Sequence, residues 1–537
     1  VLCIAGGAPP LALARPPSAA AVEIAAIGFD GRIRPGAWTP VWIDVTAGAS
    51  EIDGVVTIEV PARSGEAVVS FGTPVRAAAG ATVRVFVPAI FFDARRPGSV
   101  HLESRGQRQA SLVVPRLRAA DEIVVVLSEV PVGVEAAAMQ IGRLAVAYVA
   151  PETLPPRWQA YESVRLLVVR DLDERRLDDS QRAALRHWLW VGGRVLAMPA
   201  ADDVRHLHGP TLGPLRVAGS QGGAGRGQWI EWTRDAVDPA VRETPAQIER
   251  WRAVLATPPR DWMPALEAAV PSARPVPMRT HVAIGVLVVL YVLAIRRTSR
   301  WLASLRPVAL VATGLLIAAA TAGAVGVAVL VRRDASGVVS ATTIEVLHGT
   351  GHGVLSVAGR TVSSHGGSFV VSAPQGWLLR SGPTTPVRVV VGDRVEVRGR
   401  GNGVPFVGSA VVPTALSGTV EAKDGGLVVR IANRSGHVIE APWIYRDGQV
   451  QRIPPIRESA EIALEEERWQ AAERLPRTEE NHALLARTFS RLQSDAILKT
   501  APVWLVGWWR DPALALTWDG RAQAPLQLVL VPLAARR

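Results

Sequence analysis

The chain has 537 residues, a formal net charge of +11 and one cysteine, and its tryptophans (17) outnumber phenylalanine (8) and tyrosine (4). With Cys3 the sole cysteine, disulfides, a cysteine nucleophile and a thiolate-held metal are excluded from the folded part. Lys423 and Lys499 are the only lysines. The surplus charge is therefore arginine, scattered along the chain, whereas a nucleic-acid partner needs a patch or stripe. Nucleic acid is not expected as a partner, and a nearby anionic membrane surface suffices for the surplus.

Residues 1–21, VLCIAGGAPPLALARPPSAAA, read as the late apolar region and small-residue cleavage zone of a secretory signal. Residues 22–117 alternate in short strands: Val22–Ile27, Thr39–Val45, Val55–Val60, Ala67–Phe71, Thr82–Val87, Ser99–Glu103 and Ala110–Val114. Gly, Pro and Asp signals separate them, which predicts an antiparallel β-sandwich. Trp38 and Trp42 around one strand are expected in packing, with a sugar platform as the alternative.

The pattern changes at Asp121. EIVVVL (Glu122–Leu127) is the continuous apolar run of a strand buried on both faces of a parallel sheet. A helix near Glu135–Ile141, strands Leu144–Val149 and Arg165–Val169, a second helix and strand Arg194–Met198 follow. Asp178 or Asp179 caps the second helix, whose stripe runs through Ala184, Leu185, Trp188 and Leu189 before Gly192-Gly193 ends it. Residues 121–265 are thus expected to form a doubly wound α/β domain, flavodoxin-like in outline.

The segment LPPRWQAYESVRLLVVRDLDERRLDDSQRAALRHWLWVGGRVLAM (Leu154–Met198) resembles the class I glutamine amidotransferase-like domains of bacterial membrane-anchored envelope proteins. Active members of that superfamily use a cysteine on a strand-to-helix elbow with His and Glu. This chain has no such cysteine, and His187 lies within a helix. The resemblance therefore implies a non-catalytic relative without a cofactor. Asp171 and Asp173 follow a strand and suit loop solvation or helix capping, the alternative being a polar or cation-binding rim. Asp202, Asp203, His206 and His208 form a DDxxHxH cluster with the ligand types of a divalent-metal site, the alternative being a solvated loop. Gly219–Gly227 lacks the strand-to-helix context of a phosphate loop.

After a linker (266–279), residues 280–331 hold two apolar segments, Thr280–Ile295 and Pro307–Val331. The second is long enough to span a membrane with some tilt, and the first, slightly short for a hydrocarbon core of about 30 Å, is extended by the flanking Thr280 and Met278. The loop between them carries Arg296, Arg297, Arg300 and Arg306 and no acid. A hairpin in the bacterial inner membrane, with this loop inside and both large parts extracytoplasmic, is the expected topology. Ala319, Gly323 and Gly326 leave one stripe of the second span without bulk.

Residues 334–460 return to short strands, from Thr343–Leu347 to Leu427–Ile431, and predict a second β-sandwich. His348, His352 and His365 share a Gly/Ser-rich stretch without a fourth ligand. Asn433-Arg434-Ser435-Gly436 is a turn that also matches a glycosylation acceptor. Residues 461–537 are expected as a charged helix (Glu461–Leu498) and closing strands, with Trp504, Trp508, Trp509 and Trp518 clustered.

No complete catalytic constellation is legible. The leading expectation is a non-enzymatic membrane-anchored scaffold or assembly factor that binds other envelope proteins. The alternatives are a polysaccharide-binding or export accessory, and a metal-dependent hydrolase using Asp202, Asp203, His206 and His208.

Overall fold

The computed structural model describes residues 19–62, 68–128, 131–141, 144–170, 176–198, 228–231, 245–255, 337–347, 350–362, 368–374, 376–381, 387–392, 394–400, 404–423, 426–464, 468–471, 503–509, 516–518, 521–523 and 527–535. Two compact units emerge: Val1–Arg260 with Arg388–Asp393, and Asp261–Val387 with Arg394–Arg537.

The first unit opens with β1 (Ala21–Ile27), β2 (Arg32–Ile33), β3 (Trp38–Thr39), β4 (Val41–Thr46), β5 (Ile52–Pro61) and β6 (Val68–Ala77). It continues with β7 (Thr82–Phe86), β8 (Ala89–Ile90), β9 (Ser99–Ser104), β10 (Gln107–Val113) and β11 (Arg118–Ala119). One antiparallel sheet runs β1-β4-β7 and another β10-β9-β5-β6. Residues 388–390 extend the second by pairing parallel to β6. Period-two alternation decides which residues face inward. Val41, Ile43 and Val45 of β4, Val56, Ile58 and Val60 of β5, and Val100 and Leu102 of β9 are all fully buried.

A wholly parallel sheet follows, built from β12 (Glu122–Leu127), β13 (Leu144–Tyr148), β14 (Val164–Val169), β15 (Arg194–Ala197) and β16 (Gln228–Glu231). Its order is β13-β12-β14-β15-β16. The helices are α1 (Glu135–Ile141), α2 (Asp179–Trp190) and α3 (Pro245–Leu255). Ile123, Val125 and Leu127 pack with Leu185 and Trp188 of α2 on one face, and Val124 and Val126 pack with Ala137 of α1 and Trp251 of α3 on the other. Asp178 is the N-cap of α2, closing a capping box with Gln181, and Gly192 (φ +121°) follows its C-terminal end. Trp38 N–H donates to Glu162 (3.1 Å), Trp42 Nε1 donates to Thr153 O (2.9 Å), and Phe29 packs against Tyr161. These contacts tie the antiparallel strands to the parallel sheet within the unit.

The expected fold class needs correction. Strands dominate, with only three α-helices among the described residues. The parallel sheet falls short of a doubly wound α/β domain, because the β13-to-β14 crossover runs through two 3-10 turns, Pro151–Thr153 and Trp158–Tyr161. The prolines of PETLPPRW remove the amide donors an α-helix would need there. Nor is the amidotransferase-like reading of this region supported.

The membrane expectation is also corrected. Among the described residues no helix is long and apolar enough to cross a membrane, the longest being the 12-residue α2. Segments Thr280–Ile295 and Pro307–Val331, with the arginine loop between them, lie outside the described residues. A transmembrane hairpin, and with it an integral inner-membrane location, is not supported.

In the second unit the strand Gly337–Leu347 pairs antiparallel with His352–Val362 and parallel with Gln527–Ala535. Gln527–Ala535 also pairs with Val503–Trp509, so the last strands of the chain sit inside the sheet and do not close a separate layer. The start of the expected charged helix is a strand: Ala460–Leu464 pairs with Gly426–Asn433. Its alternating burial and the Arg430–Glu461 ion pair across the ladder favour the extended form over a helix. Residues 472–502 lie outside the described residues.

Candidate functional site

Most residues singled out from sequence lie outside the described residues: Asp171, Asp173, Asp202, Asp203, His206, His208, Gly219–Gly227, His348 and His365. Among the described residues no group of three or more His, Cys, Asp or Glu is placed to hold a metal. His352 Nδ1 lies 2.8 Å from Thr350 O in a local turn. His187 sits in the last turn of α2 with its ring beside Trp190. Trp38 is buried edge-on to Phe71, and half-buried Trp42 leans on Phe86. Trp504, Trp508 and Trp509 are buried, and Trp509 Nε1 donates to Gln527 at 2.6 Å. Trp518 lies on the short strand Leu516–Trp518. Trp443 has the Arg452 guanidinium 5.8 Å from its ring centroid. The buried rings of Trp38, Trp504, Trp508 and Trp509 present no flat face to a sugar.

Two polar clusters sit at the ends of the parallel strands. Tyr148, ending β13, donates its hydroxyl to Glu135 and accepts from Val132 N–H at 3.1 Å. Burial, then the Glu135 hydrogen bond, push this phenol well above its ordinary range. At the opposite end Arg165 donates to Glu122 (2.9 Å) and, from Nε, to Leu255 O (3.1 Å), the last residue of α3. A cation on a helix C-terminus is favourable. Burial, then the nearby charge of Arg165, bring Arg194 down to about 10. Both clusters serve to hold helices against strand ends.

The outer face of the β10-β9-β5-β6 sheet carries the densest polar array of the first unit. The register lines up Val113–Ser99–Glu59–Ser70 in one row and Ser111–His101–Thr57–Gly72 in the next. Arg108–Glu103–Val55–Pro74 forms a third. His101 is 4% exposed, its Nε2 lying 2.8 Å from Ser99 Oγ and 3.1 Å from Glu59 Oε2, and its Nδ1 meets no partner. Arg108 approaches Glu59 at 3.7 Å, and Arg388 donates to Glu103 at 3.0 Å. In a nucleophilic relay the hydroxyl and the acid occupy opposite imidazole nitrogens. Here both crowd one nitrogen. A bare buried acceptor is better tolerated than an orphaned N–H, so Nε2 is assigned as the donor to Glu59. The array pins the sheet face and does not activate Ser99.

Beyond it lies the edge. β10 ends its sheet, carries no ladder partner on its outer side among the described residues, and is exposed along most of its length. Val113 is 77% exposed, while Ala110 and Leu112 are half-buried on the inner face. Arginines gather around it: Arg95, Arg96, Arg105, Arg108, Arg116 and Arg118 are all exposed. Against six cations this stretch, 93–118, holds only two acids, Asp93 and Glu103. Arg95, Arg96, Arg105, Arg116 and Arg118 form no ion pair with a described residue. The hairpin turn at Arg105 (φ +53°) and Gly106 places Arg105 at one end of β10. At the other end, Val114 N–H donates to Gly98 O and Leu117 N–H to Ala94 O, drawing the Arg95-Arg96 and Arg116 segments together. Arginines scattered in sequence are thus collected in space. The one sequence clue was the alternation Ser99-x-His101-x-Glu103, which puts three polar side chains on one face of a strand.

A family model described as a domain of unknown function (DUF8726) matches residues 22–116. The match takes in β2 to β10, all of β1 but its first residue, and the polar face. No curated protein matches the chain.

Proposed function

We propose that this protein is a non-enzymatic scaffold that binds another polypeptide, and that the β10 edge is where it docks. The observation that supports this reading is the exposed strand β10, which has no ladder partner on its outer side among the described residues. Strand addition draws affinity from main-chain hydrogen bonds and specificity from alternate side chains. The self-paired Ser99–His101–Glu59 group agrees with a binding role, since its geometry serves no acyl transfer. Half-buried Ala110 and Leu112 leave an apolar shoulder that the inward residues of an added strand would cover.

The test is selection of random displayed peptides against the full chain, followed by hydrogen exchange on the complexes. Enriched peptides should lack proline and should slow exchange in 107–113. Peptides that protect other segments and leave β10 unchanged would overturn the assignment.

A further inference from the structure

We infer that the partner segment is an extended peptide with acidic residues at both ends of a short β-forming core. This rests on the docking edge proposed above and names the chemistry it selects. At about 3.3 Å per residue, the seven residues of β10 span about 23 Å. Cations bracket that span: Arg105 and Arg108 at its start, Arg95, Arg96 and Arg116 at its end. Four of these five have no ion-pair partner among the described residues, and Arg108 has only the 3.7 Å approach to Glu59. Paired arginines elsewhere in this unit hold their acids closely, as Arg84 does Asp44 at 2.7 Å. The cations around β10 are thus left to a group from outside the described residues. An added strand would run its backbone along β10, set alternate apolar residues over Ala110 and Leu112, and bring its ends among the arginines. Carboxylates there accept charge-assisted hydrogen bonds from guanidinium forks, and charge complementarity also steers the encounter. The bracketing favours a short strand with charged ends over a uniform polyanion, because the middle of β10 presents Gln109, Ala110, Ser111 and Leu112 and no cation.

The full chain is titrated with a labelled peptide Glu-Glu-Val-Thr-Val-Thr-Val-Glu-Glu and with its Gln-ended counterpart. The acidic peptide should bind about tenfold more tightly, lose that advantage in the Arg95→Glu/Arg96→Glu/Arg116→Glu variant, and weaken as salt rises. Arg105→Gln, a milder change, should reduce affinity by about two- to fivefold. Equal binding of the two peptides, with 107–113 protected, would overturn the acidic partner and leave the scaffold reading intact. Absence of both binding and protection would count against both. Duplex DNA or anionic vesicles that compete as well as the peptide would replace it with a polyanion surface.

Discussion

Replacing Gln181 with Leu should open the region that joins the antiparallel strands to the parallel sheet. Gln181 is 3% exposed, and its Nε2 lies 2.8 Å from Leu154 O, 3.2 Å from Glu152 O and 3.3 Å from Pro151 O. Its Oε1 accepts from Asp178 N–H at 3.0 Å. Two amide hydrogens therefore serve three carbonyls of the first 3-10 turn, and that turn presents Thr153 O to Trp42. Leucine keeps the volume and removes every donor. Pro151 and Leu154 are buried, so their carbonyls gain little from water, whereas Glu152 and the Asp178 amide are near solvent. Pro151 O still accepts from Leu154 N–H, so Leu154 O is the buried carbonyl left unmet, and with the lost Asp178 N–H bond the change costs about 2–4 kcal/mol. Losing the cap oxygen alone, in Asp178→Ala, costs about 1 kcal/mol. At 1.4 kcal/mol per tenfold, local opening read by hydrogen exchange in peptides from 144–162 should rise about 30- to 700-fold in Gln181→Leu, against about fivefold in Asp178→Ala. Peptides from β5 and β9 should change far less. Equal effects of the two substitutions would show that the carbonyls find other donors and that the glutamine is not what holds the turn.

Gly193→Ala should cost about 1–3 kcal/mol in a denaturant titration, because an added Cβ would lie 2.4 Å from the Trp188 ring; an unchanged midpoint would show that the indole swings aside freely. Asp44 is held below its ordinary carboxylate range by its hydrogen bonds to Arg84, then by the attraction of that charge. Its folded value being depressed, the pair stabilises above the unfolded aspartate value of about 3.9 and fades as pH falls through the folded value. For so exposed a pair the effect is well under 1 kcal/mol, so Asp44→Asn should flatten the acid limb of the stability–pH curve by only that much. Asn433 is 4% exposed and its Nδ2 donates to the carbonyls of His437, Ile456 and Arg457. Folded protein offered to a glycosylating extract should stay unmodified by intact mass, and Asn433→Ala should cost about 2 kcal/mol.

What the sequence disclosed is local, and what it concealed is pairing. Glu122–Leu127 could be read as a doubly buried strand because its five consecutive apolar residues, Ile123–Leu127, left no polar face to expose. The start and stop of α2 were legible, to within the choice of Asp178 or Asp179, because capping and glycine chemistry act within a few residues, and the structure settles the cap on Asp178 with Gly192 beyond the end. The turn at Asn433–Gly436 was readable for the same reason. By contrast, Gln527–Ala535 lies between strands that begin at Gly337 and Val503, a neighbourhood no local period specifies. Glu461–Leu464 looked helical by charge density, yet its fate was set by Arg430 on a strand about thirty residues earlier. The apolar runs after residue 280 invited a membrane reading from hydropathy alone. The arginine cluster at β10 was hidden because its members are scattered from 95 to 118, and only the hairpin and the two loop hydrogen bonds collect them.

An unpaired edge strand is a hazard, since it can template any other free edge, including its own copy. β10 has no proline, no helix covers it among the described residues, and its ladder bulge lies on the β9 side, between Arg108 and Ala110. What distinguishes it is the bracketing charge. If two copies paired antiparallel through this edge, Arg105 and Arg108 of each would lie against Arg95, Arg96 and Arg116 of the other, and like charges set opposite destabilise a ladder. A neutral foreign strand would meet no such repulsion but would gain nothing at the ends. An acid-ended strand alone converts both charged flanks from a barrier into an attraction. The same arginines thus guard the edge against its own kind and mark it for a partner of opposite sign, which is how specificity combines repulsion of the wrong strand with recognition of the right one.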